Sequence, residues 1–301
     1  MSTDREPPNP SSSAAVRPRS AAASAVVNPL DVNALIGSYP FRYVPHPDPD
    51  VLVRVLDREG LRGAWVGHLP SAFYRDPTPG NAALFTALAP HRGVLHPVPC
   101  IRPDWPRWEH ALREVVEQGA IAIRAYPPQW GMGPQDRSML ALAAACGEIS
   151  SVLLLTVRFE DVRQRGGIDV APDLDAATIR GLVRSARRTR IVVTAAGREM
   201  IEQVHWGLAP DERARLWWDI SWIWGPPEDH LAHLFRTIGA DRFVYGTHWP
   251  MRLTQTPRAN LDLLPEDLRA ARIADASDIA LAGYDTAKRD ERGSDEEMRD
   301  E

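Results

Sequence analysis

Lysine is nearly missing: of 35 basic residues in a chain of 301, only Lys288 is a lysine, and it stands near an acidic C-terminus. That excludes a Schiff-base lysine in the folded body, and equally a carbamylated lysine bridging two metal ions. Cysteine is scarce too. Cys100 and Cys146 cannot make a disulfide framework, and both stand in apolar surroundings where inert burial is expected. A cytoplasmic location is therefore the default expectation. No apolar run approaches the roughly 20 residues that span a bilayer, and "SAAASAVV" near the N-terminus is too short for a secretory h-region. Positive charge is not in excess, because the formal net charge is -5. Neither nucleic acid nor a membrane is an expected partner.

What is present is a sizeable apolar complement, 44% of residues against 25% charged, enough for a large core. Residues 1–27 are Pro, Ser, Ala and Arg with few large apolar groups, and residues 285–301 are a charged run; both are expected to be disordered. Between them, short apolar runs alternate with amphipathic stretches. The candidate strands are "LDVNALIG", "GAWVGHL", "VLHPVPCI", "AIAIRAY", "SVLLLTV", "RIVVTA", "RLWWDIS" and "RFVYGT". Helical spacing follows over 105–118, 136–147, 175–188, 228–239 and 264–281. Eight such pairs over residues 28–284 predict an α/β fold, a single (β/α)8 TIM barrel. A doubly wound sheet is disfavoured because no Gly-rich phosphate turn follows the first strand.

In such a barrel the site lies at the C-terminal ends of the strands, so the polar residues closing each apolar run are its candidates. In chain order these are Asn33, His68, Arg124 with Tyr126, Arg158 with Glu160 and Asp161, Thr194, Asp219 with Ser221, and His248. "DVNALIG", "RAYPPQW", "DIS" and "GADRFVYGTHWPMR" resemble the amidohydrolase superfamily, specifically its amidohydrolase-related, decarboxylase-like branch. The resemblance extends over most of residues 29–283 and includes "LPEDLRAARIADASDIALAG", which is similar to the family's last helix. It implies hydrolysis or decarboxylation of a small carboxylated or aromatic substrate.

The resemblance also implies a metal site, and here the chain departs from it. Where the family carries Asp-x-His-x-His, this sequence has Asp31, Asn33 and Leu35. The histidines expected at the fifth and sixth strands are missing from "LLTVRFED" and "VVTAAG", and Gly-Ser-Asp-x-Pro has become Gly246-Thr247-His248-Trp249-Pro250. A catalytic zinc usually needs three protein ligands. The pattern thus implies a metal-free site, or one weakly held divalent ion such as zinc or manganese.

Each candidate also has a plain structural alternative. His248 suits proton transfer near neutral pH, or is a buried imidazole tied to Asp31 or to a backbone carbonyl. His68 is more simply a locally buried loop histidine. Arg124 and Arg158 would clamp a substrate carboxylate, or form an ion-pair network with Glu160, Asp161 and Asp219 that replaces the metal's charge. Arg42 and Arg252 stand to line the same mouth. Asn81 is expected to cap the second helix, and Trp130, Trp217, Trp218, Trp222, Trp224 and Trp249 to pack a core or a pocket wall. Exposed area in "WWDISWIWGPP" would suit a homo-oligomer contact.

The leading expectation is an enzyme in which His248 transfers the proton, Asp219 orients it and Asn33 donates a hydrogen bond. Arg124, Arg158, Tyr126, His68, Trp249 and Arg252 would bind the substrate. The alternative is a catalytically silent barrel that binds a small anionic ligand or a partner protein. A third reading gathers His248, His68 and Asp219 around one metal ion.

Overall fold

In the computed structural model of the protein, which describes residues 28–46 and 48–280, all eight expected runs contain a strand. The expected disordered ends, Lys288 and the last expected barrel residues, 281–284, lie outside the described residues. In order the elements are β1 Leu30–Ile36, α1 Pro49–Glu59, β2 Gly63–His68, α2 Thr78–Leu88, β3 Leu95–Pro97, α3 Trp108–Glu117, β4 Ala122–Ala125, α4 Arg137–Glu148 and β5 Val152–Thr156. Then follow α5 Ala176–Ser185, β6 Arg190–Thr194, α6 Arg198–His205, α7 Pro210–Arg213, β7 Leu216–Asp219, α8 His230–Thr237, β8 Phe243–Val244 and α9 Gln255–Asp262.

All strands are parallel, in ladders β1-β2-β3 and β4-β5-β6-β7-β8. Two seams join them. Arg124 N donates to Pro99 O at 2.9 Å and Ile101 N to Arg124 O at 3.2 Å. On the other side Val32 N donates to Tyr245 O at 2.9 Å and Leu35 N to Trp249 O at 2.8 Å. A parallel sheet bonded along both seams has no free edge, and the chain is a (β/α)8 barrel.

Alternation builds the interior. Val152 and Leu154 on β5 and Val192 on β6 belong to one buried cluster, with Val32, Val98, Ala122 and Val244. Their neighbours Leu153, Leu155, Ile191 and Val193 belong to a second cluster, with Leu182, Val183 and other helix residues. One set fills the barrel and the other seats the helices, because successive side chains leave a strand on opposite faces. Continuing the first set upward reaches Arg124, Thr156, Thr194 and Asp219. The register aligns Thr156 with Thr194 and Arg124 with Leu154.

Local signals set the helix ends. Asp48, Asp136 and Asp175 accept from backbone amides of α1, α4 and α5, each cap contributing about 1 kcal/mol. Two expectations are corrected. Asn81 lies within α2 rather than at its cap, and exchanges two 2.8 Å bonds with the main chain of Cys100. The expected helix 264–281 is instead a short turn at Glu266–Leu268 and then an extended stretch, where Ala274 N donates to Phe243 O at 2.7 Å. Helix resumes at residue 276 behind Asp275, which accepts from Ser277 N.

Candidate functional site

Four buried side chains meet where the barrel's inner layer turns polar. Asn33 stands at an irregularity in the β1 register between Asp31 and Ala34, the kind of slip that re-aims a side chain. Its amide oxygen accepts from Arg124 Nη1 at 3.0 Å. Its amide nitrogen donates to Asp219 Oδ2 at 2.7 Å and faces His248 Nδ1 at 3.0 Å. Reversing the amide would set its oxygen against the carboxylate, so this orientation alone satisfies every partner.

Both oxygens of Asp219 are engaged. Oδ1 accepts from Ala195 N at 2.8 Å, and Oδ2 also accepts from the Ser221 hydroxyl at 2.8 Å. Burial raises its pKa, while Ser221, Ala195, Asn33 and the Arg124 charge pull the other way. Arg124 reaches Thr156 Oγ1 at 3.4 Å and Val32 O at 3.3 Å, and Thr156 meets Thr194 at 3.1 Å. Beside this group Asp31 accepts from Thr247 Oγ1 at 2.5 Å, Thr247 N at 3.0 Å and Asn33 N at 2.9 Å. Burial pushes its pKa up to about 6.

The histidine is locked. A backbone carbonyl can only accept, so the 3.0 Å contact between His248 Nε2 and Phe159 O puts the ring proton on Nε2. Nδ1 is then bare and accepts from Asn33. Burial pushes the imidazole pKa down to about 3, so the ring is neutral at physiological pH. Phe159 and Trp222 cover it, with ring centroids 6.3 and 6.0 Å away. His248 and Ala195 both adopt left-handed backbone, at φ 59° and 60°. Such residues cost about 1–2 kcal/mol each, and here their bonds to Phe159 and Asp219 offset it.

Above this lid lies a cavity of about 180 Å³ at the barrel mouth, lined by Arg42, Glu160, Asp161, Trp222, Trp224 and Arg252, among others. Arg252 packs on two indoles, 4.4 Å from Trp222 and 5.6 Å from Trp224. Its guanidinium has no hydrogen bond or ion pair among the described residues, and burial lowers its pKa. Arg158 is not in the inner cluster. It pairs with Asp173 at 2.8 Å and stacks on Trp222 at 5.3 Å. Of the acids expected to neutralise Arg124 and Arg158, Glu160 pairs with Arg42 and Asp161 with Arg163, while Asp219 meets Arg124 only through Asn33. A larger hollow of about 360 Å³, between the start of α2 and α3, contains none of the strand-end cluster.

The remaining candidates scatter. Tyr126 is buried against Phe159, with ring centroids 5.3 Å apart, and lies near Arg124 without a well-formed hydrogen bond. His68 bonds Ser71 Oγ at 2.9 Å and is half-buried. Trp249 is half-buried, with its main chain in the β1 seam. In "WWDISWIWGPP", Trp218 and Trp222 are buried and Trp224 is exposed, so less apolar area faces solvent than the run suggests. Sequence reasoning missed Phe159 and Thr247, whose roles rest on a carbonyl and on a β8-to-β1 contact that carry no pattern of their own.

A divalent ion does not fit this centre as built. No group of three or more His, Cys, Asp or Glu side chains that could hold a metal occurs among the described residues. Asp31, Asp219 and His248 each have their donor atoms already engaged.

No protein-family model matches the chain, and no curated protein matches it. Solved structures do. A 2,6-dihydroxybenzoate decarboxylase from Rhizobium is 12% identical over 86% of this chain and 98% of its own, with TM-score 0.59. A dihydroxybenzoic acid decarboxylase from Polaromonas, with bound manganese and the inhibitor 2-nitroresorcinol, is 10% identical over 85% and 97%, with TM-score 0.60. An amidohydrolase from Mycobacterium avium subsp. paratuberculosis is 17% identical over 77% and 73%, with TM-score 0.52. The barrel is thus of the kind found in the amidohydrolase superfamily, and the likeness is one of fold. No helix among the described residues is long and apolar enough to cross a membrane.

Proposed function

We propose that this barrel takes a small carboxylated or aromatic molecule at its mouth and acts on it by hydrolysis or decarboxylation. One observation carries the reading: the Arg252 guanidinium sits over Trp222 and Trp224 in the wall of the cavity, without a carboxylate of its own. A guanidinium over an indole suits an aromatic ring bearing an acid, with stacking for the ring and a two-pronged bond for the carboxylate. 2,6-Dihydroxybenzoate, the molecule bound to one decarboxylase of similar fold, has that chemistry.

For chemistry, the bound molecule must displace the rings of Phe159 and Trp222 and meet Nδ1 of His248. That atom is unprotonated at neutral pH, but burial also makes it a weak base, so it would accept a proton only after the bound molecule relieves that burial and Asn33 turns away. Asp219 would keep hold of the turned Asn33, while Arg158 and Tyr126 would line the approach.

A second reading is favoured by how completely the centre is closed: both ring nitrogens of His248 are engaged and the residue is fully buried. In that reading the mouth binds an anionic aromatic without turnover.

The test is titration of the purified chain with 2,6-dihydroxybenzoate and related benzoates, with and without added manganese or zinc, followed for both binding and product. Product lost in His248→Gln, with binding retained, supports the enzyme. Saturable binding with no product in any condition gives the second reading. Absence of binding to every aromatic acid sinks both.

A further inference from the structure

The strand-end centre holds a buried charge that the proposed chemistry does not use. Arg124 is fully buried, and its guanidinium takes a carbonyl oxygen, an amide oxygen and a hydroxyl: Val32 O, Asn33 Oδ1 and Thr156 Oγ1. These are oxygen donors of the sort a hard cation collects from a protein. Asp219 is linked to this guanidinium through the single amide of Asn33, which bonds both.

We propose that Arg124 is the resident cation of this barrel, and that the strand-end centre takes no divalent metal ion. The argument is one of donors and directions. Asp219 Oδ1 keeps one lone pair beyond its bond from Ala195 N, but Oδ2 already accepts from Ser221 and Asn33 and must release one of them to ligate an ion. For His248 to ligate through Nε2 it must release the Phe159 carbonyl, and through Nδ1 the Asn33 amide. Asn33 and Thr156 would have to abandon a cation to accept one. Ligation by His248 or by Asp219 Oδ2 breaks a buried bond, and a second positive charge beside Arg124 adds repulsion in a medium that screens it poorly. A decarboxylase of similar fold holds manganese, whereas here a side chain on β4 puts a positive charge at the strand ends. The inference concerns the centre's own charge balance and stands whether or not the mouth binds an aromatic acid.

The test uses the full chain purified without chelator. Metal content by mass spectrometry is expected far below one ion per chain, and added manganese or zinc is expected to leave Tm unchanged. Arg124→Met, similar in length without the charge, is expected to lower Tm by several degrees. Arg124→Lys, which keeps the charge, is expected to recover part of that loss. A stoichiometric divalent ion in the wild-type chain, or a rise in its Tm on adding one, overturns the proposal. So does an Arg124→Met variant as stable as Arg124→Lys. Should both variants fail to fold, the metal content and Tm response of the wild-type chain still decide.

Discussion

Arg252 and His248 are four residues apart and do opposite things, which is why a reading by residue type could not separate them. His248 is the stronger catalytic candidate by type, yet its ring is spent on Phe159 O and Asn33. Arg252 is one of many arginines, yet its guanidinium is left open to the mouth on two tryptophans. Replacing Arg252 by Ala is expected to weaken benzoate binding about tenfold or more, the worth of a charge-assisted bond. Arg252→Lys should recover little of it, because an ammonium lacks the flat fork that both stacks and chelates. Calorimetric titration reads both variants, and full recovery in Lys would reduce the site to a point charge. Their place at the polar end of an apolar run made Arg124, Thr194 and Asp219 legible as strand-end groups of β4, β6 and β7. Nothing in the sequence says that the Phe159 carbonyl, a group every residue owns, would fix the tautomer of His248.

Elements supply the constraints that single residues obey. The ends of β7 and β8 approach so closely that a Cβ at Gly246 would lie 2.6 Å from Asp219 Oδ2 and 2.7 Å from its Cβ. Gly246→Ala must therefore push the two strand ends apart and displace a carboxylate bonded to Ala195, Ser221 and Asn33. A loss of about 1–3 kcal/mol is expected from such overpacking, measured by urea denaturation, and an unchanged midpoint would mean that the close approach is not structural. The connection from β5 to α5 is similarly tied. Arg165 bonds Glu160 O and Ala171 O and pairs with Asp173, which also holds Arg158, while Tyr39 donates to Asp169 at 2.8 Å. Arg165→Ala should speed proteolytic cutting between residues 158 and 175 while leaving the global melting transition in place. Cutting at the wild-type rate would show that the other ties suffice. All eight strands were legible because buried parallel strands are continuous apolar runs. The last helix was misread because its apolar spacing continues through residues 270–274, where pairing with β8 prevails over helical periodicity.

Across the whole molecule, the first and last strands are joined by a buried acid. Asp31 of β1 accepts from Thr247, 216 positions later, and so helps close the barrel. Its raised pKa and the lowered pKa of His248 act on stability with opposite signs. The Asp31 contribution is fully present below the unfolded value of 3.8 and is lost as pH rises through about 6. The His248 contribution is present above 6.5 and is lost as pH falls toward about 3. Each has a slope of about 1.4 kcal/mol per pH unit between its two pKa values, so between about pH 4 and 6 the two largely cancel. Asp31→Asn fits the same bonds: its amide oxygen keeps the N–H groups of Asn33 and Thr247, and its new nitrogen donates to Thr247 Oγ1. That variant should be more stable than wild type at pH 7 and should lose the advantage steadily between pH 6 and 4. His248→Gln should show the reverse, gaining on wild type as the medium is acidified. Taking each difference from wild type removes the titrations common to both chains, and parallel curves from pH 4 to 7 in either case would mean that these buried groups do not carry the charge states their surroundings dictate.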